Sequence, residues 1–258
     1  MQFTVSRSVL ACATMKKLIR QSFQAAFGLY MLLVFITLLI TLFPFLLILP
    51  RMAWRRSMAR ALSGLVFFLC GMKLTVRGLE NLPDTACVIV ANHASNLDGV
   101  ILTAALPPDF SFVIKREITR VPFVHYLLRS IGSEFVERQT GGGKTRDSRR
   151  LLKKATSGSP MVFFPEGTFR LEPGLLPFHN GAFVAAVRGG LPLVPVIIRG
   201  ARRVLPAKAF WPRWGRIEVE VLAALDPPNS GGGGQHRLKE AARLAMQAKL
   251  AEPLVEKR

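Results

Sequence analysis

Thirty consecutive residues, 21–50, carry no charge, and that run limits the chain's folding options more than any other feature. Its core reads AAFGLYMLLVFITLLITLFPFLLILP, longer than the roughly 20 residues that cross the hydrocarbon core of a bilayer. A buried helix of a water-soluble domain is normally shorter and keeps a polar face. A cleaved signal peptide also fits poorly: the run is too long, and it leads directly into RMAWRRSMAR with no small-residue cleavage site. Cys12 follows Leu10 and Ala11 as in a lipoprotein site, but Arg7 interrupts the short segment before it, so that reading is set aside. Met15-Lys16-Lys17 reads as an alternative start. Residues 1–72 are therefore expected to form a membrane anchor with basic flanks.

The orientation of the anchor stays open. Lys16, Lys17 and Arg20 precede the run, while Arg51, Arg55, Arg56 and Arg60 follow it, so positive charge favours neither end. Pro44 offers a point at which the helix can break and return. The second apolar stretch, 61–72, is too short to span, and the two together suit a hairpin in one leaflet as well as a crossing.

Charge is segregated along the chain. The formal net charge is +19, and no Asp or Glu occurs before Glu80, whereas ten Lys and Arg do. Such an excess suits an anionic partner: lipid headgroups, an acidic carrier protein or nucleic acid. The last is not expected, because no zinc spacing or aromatic-basic RNA motif accompanies the charge. Cys12, Cys70 and Cys87 are odd in number and widely spaced, which predicts reduced small hydrophobes. No histidine and carboxylate cluster has metal-ligand spacing, so no metal is expected.

From Leu74 the texture changes. LTVRGL, ACVIVAN, FSFVIKR, SEFVER, PMVFFP, LVPVIIRG and RIEVEVL are Val-, Ile- and Phe-rich runs bounded by turn formers, and read as strands. Helices are expected at 99–106, 122–131, 145–155, 181–188 and 236–250. The alternation predicts an α/β layered domain over 73–225 with a central, mostly buried mixed sheet, followed by a Gly-rich linker and C-terminal helix over 226–258. Gly143-Lys144-Thr145 ends like a phosphate-binding loop, but the earlier glycine of that motif falls on Arg138, so it is not one.

Two constellations carry chemistry. His93 and Asp98 bracket a turn-forming Ala-Ser-Asn-Leu at the end of the ACVIVAN strand. On a continuous helix, residues five apart point to different faces, so cooperation requires the loop to fold them together. The carboxylate would then hold one imidazole nitrogen as N–H and leave the other to accept a proton. Asp98 serves equally as a plain helix cap on this pattern alone. The second constellation, Phe163 to Arg170, delivers Glu166, Gly167, Thr168 and Arg170 at a strand end, where α/β sheets bind ligands. Glu166 can accept from substrate hydroxyls or position a neighbour, and Arg170 suits a phosphate.

Asn92-His93 with Asp98, followed by Phe164-Pro165-Glu166-Gly167-Thr168, resembles the glycerolipid acyltransferase family, especially 1-acyl-sn-glycerol-3-phosphate acyltransferases. The segment Gly132 to Arg138 resembles that family's second block, and Leu193-Val194-Pro195-Val196-Ile197 its fourth. The resemblance covers about 74–222. It implies His93 as general base oriented by Asp98, with Arg138 and Arg170 on the acceptor's phosphate and Lys115 as a weaker candidate for the same task. Glu166, Gly167 and Thr168 would shape the pocket. The donor would be an acyl thioester on acyl carrier protein or coenzyme A, used as co-substrate with no further cofactor. The acceptor would be a lysophospholipid in the membrane, with the catalytic domain on the cytoplasmic side of the inner membrane. Direct transfer is expected, since no Gly-x-Ser-x-Gly elbow or Cys beside a base is present.

One departure stands out. The family's third block more often continues with Arg directly after Glu-Gly-Thr, whereas Phe169 occupies that place and Arg170 follows. His179 sits where many members carry a Lys and is expected to be structural. The shift keeps other lysolipid acceptors open, among them a lyso-aminolipid. A lipid hydrolase and a non-enzymatic membrane tether are the readings from other classes.

Overall fold

All seven strand-like runs enter one sheet. In the computed structural model, which describes residues 7–137, 142–228, 233–250 and 255, the strands are β1 (Leu74–Arg77), β2 (Val88–Ala91), β3 (Ser111–Lys115), β4 (Glu134–Val136), β5 (Met161–Phe163), β6 (Leu193–Arg199) and β7 (Ile217–Val221). Their spatial order is β1-β7-β6-β2-β5-β3-β4. Only β6 and β7 pair antiparallel; the other five pairings are parallel, so the sheet is mixed.

The central strands read as unbroken apolar runs because both faces are covered, which is the usual fate of parallel sheets. Val88 and Val90 of β2 pack with Met161 and Phe163 of β5 beneath α5 (Gly142–Thr156), α6 (Gly181–Gly189) and α8 (Gly234–Leu250). Ile89 and Ala91, the alternate residues, pack on the opposite face. That face is covered by α1 (Arg7–Ile48), α2 (Met52–Leu69) and α3 (Asp98–Ala105), through Met31, Phe67 and Ile101 among others. The crossover from β2 to β3 thus runs through α3 on one face, and that from β5 to β6 through α6 on the other. β2 and β5 are neighbours, and their exits diverge to opposite faces.

The anchor segment forms a helical hairpin whose inner surface is part of the domain core. Pro44 does not end α1, which continues to Ile48. Tyr30 Oη donates to Leu69 O at 3.0 Å, while Leu46 clusters with Ala59 and Ile131, so α1 and α2 lie antiparallel. Phe27, Met31, Val34, Phe35 and Leu38 form a stripe at helical spacing that faces the sheet side. Leu29, Leu33 and Ile40, on the other side of the same helix, are exposed. A helix apolar all round needs an apolar medium on its outer face, and α1 is long and apolar enough to cross a membrane.

Two arginines assigned to the flank by sequence have intramolecular work. Arg55 donates through Nε to Leu49 O (2.6 Å) and through Nη2 to Leu47 O (3.3 Å), satisfying carbonyls at the end of α1. Arg56 donates to Ile131 O (3.0 Å), Asp109 O (2.6 Å) and Ser111 Oγ (2.7 Å), pinning the start of α2 to the domain.

α1 also seats against the loop before β7. A Cβ added at Gly28 would lie 3.0 Å from both Pro212 O and Trp211 Cβ, so even a methyl group would press on the loop and a larger side chain would have to displace it. Replacing Gly28 with Leu should overpack the contact and destabilise the protein by about 1–3 kcal/mol. Thermal melting in detergent would read this as a lowered Tm, and unchanged melting would contradict the seating.

Candidate active site

The pairing of β2 with β5 brings the two chemical constellations together. Val90 is in register with Phe163, so the segments that follow them leave the carboxyl edge of the sheet side by side. One delivers Asn92 and His93, the other Phe164, Pro165 and Glu166. They emerge between strands whose crossovers diverge to opposite faces, where open α/β sheets form a crevice.

After β2 the chain makes a tight turn, with Asp98 N–H donating to Ser95 O at 3.2 Å, before α3 begins at Asp98. One oxygen of Asp98 organises the turn. Its Oδ2 accepts from His93 Nδ1 (2.8 Å), Ala94 N–H (2.6 Å) and Ser95 N–H (2.8 Å). Asp98 is fully buried, and no side chain caps the start of α3 by hydrogen bonding. The carboxylate therefore orients the imidazole and braces the turn. With Nδ1 donating to the carboxylate, the neutral ring presents Nε2 as an acceptor.

Further contacts hold His93 from the backbone and from the ring. Asn92 extends the β2–β6 ladder through its side chain, accepting from Ile198 N–H (2.7 Å) and donating to Ile198 O (3.0 Å). Glu166 Oε1 accepts from His93 N–H (2.7 Å) and Oε2 from Leu176 N–H (2.8 Å), tying the histidine's backbone to the loop after β5. The Phe164 ring stacks on the imidazole at 4.5 Å, and Phe169 meets it edge-on at 4.6 Å. Phe169, where the resembled family more often has Arg, is thus a wall of the histidine's slot. Gly167, at φ 72°, supplies the left-handed residue that reverses the chain between Glu166 and Phe169.

Beside His93 opens a cavity of about 510 Å³, within the roughly 300–1,000 Å³ typical of small-ligand sites. His93, Gly167, Thr168 and Phe169 line it, as do Leu46, Ala59 and Ile131, which cluster between α1, α2 and α4 (Pro122–Ser130). Its remaining walls come largely from apolar residues of α1, α3 and β3, including Phe35, Val100 and Phe112. The anchor hairpin is therefore a wall of the site.

The other sequence-predicted residues fall in different places. Lys115 lines the cavity and pairs with Glu117 at 3.0 Å. Thr168 is exposed at the lining, whereas Arg170 is exposed beyond it. Glu166 is buried with both oxygens engaged by backbone N–H groups, so of its two expected uses the structure has the positioning one. Arg138 lies outside the described residues. Its neighbour Glu137 donates its N–H to Asp147 Oδ2 (2.8 Å), and Asp147 also accepts from Arg116 (2.9 Å). Cys87 is buried in the core, and burial pushes its thiol up to about 11, which suits a packing residue and not a nucleophile. Among the described residues, no three His, Cys, Asp or Glu side chains gather as a metal set.

Sequence reasoning missed the ring slot and the cavity wall. Phe164 and Phe169 are unremarkable apolar residues in the sequence, and the only signal for the wall was that α1 is apolar on every side.

Burial raises the Glu166 carboxyl to about 7, against the lowering effects of the His93 and Leu176 N–H groups and of Arg202; Asp98 adds a smaller raising effect. Between its unfolded value, near 4.5, and about 7, the folded chain keeps a proton that the unfolded chain has released. Stability from this group therefore falls as pH rises through that window, by on the order of 3 kcal/mol in all. Glu166→Gln removes the titration. Melting curves at pH 5 to 8 should show wild type losing stability relative to the variant as pH rises. Parallel curves would contradict the assignment.

A protein-family model described as Acyltransferase matches residues 73–199. A 1-acyl-sn-glycerol-3-phosphate acyltransferase of Pseudomonas aeruginosa is 31% identical over 190 residues, covering 71% of this chain and 71% of that protein. A chloroplastic 1-acyl-sn-glycerol-3-phosphate acyltransferase of Brassica napus is 32% identical over 179 residues, covering 67% of this chain and 51% of that protein. A human protein named lysophospholipid acyltransferase LPCAT4 is 34% identical over 188 residues, covering 69% of this chain and 34% of that protein. The chain spans about half the length of several curated relatives it matches. The crystal structure of the 1-acyl-sn-glycerophosphate acyltransferase PlsC from Thermotoga maritima superimposes with a TM-score of 0.73 over 88% of this chain and 96% of that one; at 21% identity it speaks for the fold. The His93–Asp98 pair thus sits within a sequence and a fold shared with these enzymes, and the chain belongs to the acyltransferase family.

Proposed function

We propose that the chain transfers a fatty acyl group from an acyl thioester to the free hydroxyl of 1-acyl-glycerol-3-phosphate, forming phosphatidate. The supporting observation is the 2.8 Å contact of His93 Nδ1 with buried Asp98 on a ring that lines a largely apolar cavity. His93 Nε2 takes the proton of the acceptor hydroxyl as its oxygen attacks the thioester carbonyl. The tetrahedral intermediate collapses with cleavage of the C–S bond, and the thiolate leaves with the proton returned by the imidazolium. Asp98 holds the tautomer throughout and offsets the transient positive charge. General-base assistance of this kind contributes roughly 10²–10⁴ in rate, with positioning and oxyanion donors supplying the rest.

The cavity takes the acyl chain, since its walls offer an alkyl tail apolar contact along α1, α2 and β3. Arg138, Lys115 and Arg170 are assigned to the acceptor's phosphate. The donor is carried on acyl carrier protein or coenzyme A, both anionic and both suited to a chain of net charge +19. Acceptor and product reside in the bilayer, and the domain works at the cytoplasmic face of the inner membrane.

A second acceptor reading rests on Phe169. With an aromatic ring against His93 and the guanidinium of Arg170 outside the cavity lining, a lysolipid whose headgroup makes less use of a cation there fits as well. Purified protein assayed with an acyl thioester and either lysophosphatidate or other lysolipids separates the two. Product from lysophosphatidate supports the first reading, and product only from another lysolipid overturns it. Free fatty acid released without an acceptor would indicate a hydrolase.

His93→Ala should lower turnover by about 10²–10⁴ while the protein still folds and binds membranes. Unchanged turnover would contradict His93 as the base, and absence of turnover in both wild type and variant would leave the membrane-tether reading. Ala59→Phe, placed where α1, α2 and α4 meet the cavity, should shift preference toward shorter acyl chains, read from competition between thioesters of different length. An unchanged chain-length profile would put the tail elsewhere.

A further inference from the structure

The loop 205–216, between α7 (Ala201–Val204) and β7, has an exposed surface that the acyl-transfer chemistry does not use. It reads LPAKAFWPRWGR, and no Asp or Glu occurs anywhere between Arg199 and Arg216. Phe210, Trp211 and Trp214 are 73%, 42% and 53% exposed, and Phe210 and Trp211 meet edge-to-face at 4.9 Å. Lys208, Arg213 and Arg216 are exposed in the same loop, as is Arg203 just before it. Large aromatics are costly to leave in water, and aromatic side chains mixed with cations are the composition that settles at a membrane–water interface.

The loop's position agrees with its composition. It packs on α1 at Gly28, directly beside Leu29, whose side chain is exposed on the outer face of that helix. Trp214 Nε1 donates to Gly71 O at 3.1 Å, just past the end of α2, where Phe68 and Leu69 are also exposed. The loop thus continues the apolar outer surface of the hairpin and adds cations at its margin. It is also joined to the catalytic turn, because buried Ser95 donates through Oγ to Leu205 O at 2.8 Å. A loop fixed to the bilayer surface would hold the His93 turn at a set height above it.

We propose that loop 205–216 is a second membrane-contacting element, which seats Phe210, Trp211 and Trp214 among the headgroups of an anionic bilayer beside α1 and so sets the depth of the active site. The apolar continuity with α1 places the occupant in a lipid surface, and the loop's cations, with no acidic residue among them, make that surface anionic. The inference goes beyond the acyl-transfer reading and does not depend on which lysolipid is the acceptor.

The test uses the full chain carrying Trp54→Phe, which leaves Trp211 and Trp214 as its only tryptophans. The protein is moved from detergent into vesicles of phosphatidylcholine and phosphatidylglycerol, with bromines at shallow or deep acyl positions. The expected result is loss of tryptophan emission, greater with shallow bromines than with deep ones, together with reduced access of acrylamide relative to the detergent-held protein. Emission unchanged by either brominated lipid, with acrylamide access retained, would overturn the proposal. So would shielding that appears in detergent alone and grows with protein concentration, which would mark the loop as a contact between copies. Because the readout is fluorescence, a failure of the loop proposal leaves acyl transfer untouched, and the reverse also holds.

Discussion

One carboxylate oxygen, Asp98 Oδ2, carries the organisation of the site. It accepts three N–H groups within the six-residue turn 93–98, two from the backbone and one from the His93 ring. The same atom therefore shapes the loop and selects the imidazole tautomer, so the geometry of the ring and the fold of the turn cannot vary separately. Burial of Asp98 strengthens each of those interactions, since few competing waters reach a group in a low-dielectric interior. The supporting contacts fix the histidine from other directions. Glu166 takes its backbone N–H, Asn92 ties the preceding residue to β6, and Phe164 and Phe169 confine the ring. A side chain held in this way has little freedom left to lose, which is the condition under which positioning would accelerate the proposed proton transfer.

The second constraint is the medium. α1 has an apolar stripe toward the domain and another toward the outside, and the inner stripe closes the cavity next to His93. Removing the hairpin would open the apolar cavity to water. Anchor and catalytic domain are thus one packing unit, with Arg56 bonded across the junction to Asp109, Ser111 and Ile131. This arrangement suits chemistry in which one reactant is an amphiphile: an acyl tail can stay in apolar surroundings while its polar end lies beside His93.

Much of this was legible in the sequence, for physical reasons that differ by region. Strands such as ACVIVAN and LVPVIIRG declared themselves because both sheet faces are buried, leaving no polar alternation to blur them. The His93–Asp98 pair was legible as a possibility, and the requirement that a turn bring the residues together is what the structure meets. Glu166 was harder, because a carboxylate at a strand end signals a ligand and a backbone clamp equally well; only the positions of the His93 and Leu176 N–H groups decide. The ring slot made by Phe164 and Phe169 could not be read at all, since two phenylalanines in an apolar stretch carry no information about which side chain they face. Arg55 and Arg56 looked like membrane-flanking charge, and their carbonyl partners at Leu47, Leu49, Asp109 and Ile131 depend on tertiary contacts that no local pattern encodes.

The central claim is that Asp98 keeps His93 protonated at Nδ1 and free at Nε2. The most direct measurement is the pair of ring ¹⁵N chemical shifts of His93 in the full chain at a pH where the ring is neutral, assigned by their disappearance in His93→Gln. The expected result is the Nδ1–H tautomer, with its shifts altered on Asp98→Asn. A ring protonated at Nε2, or shifts indifferent to the loss of the Asp98 carboxylate, would contradict it.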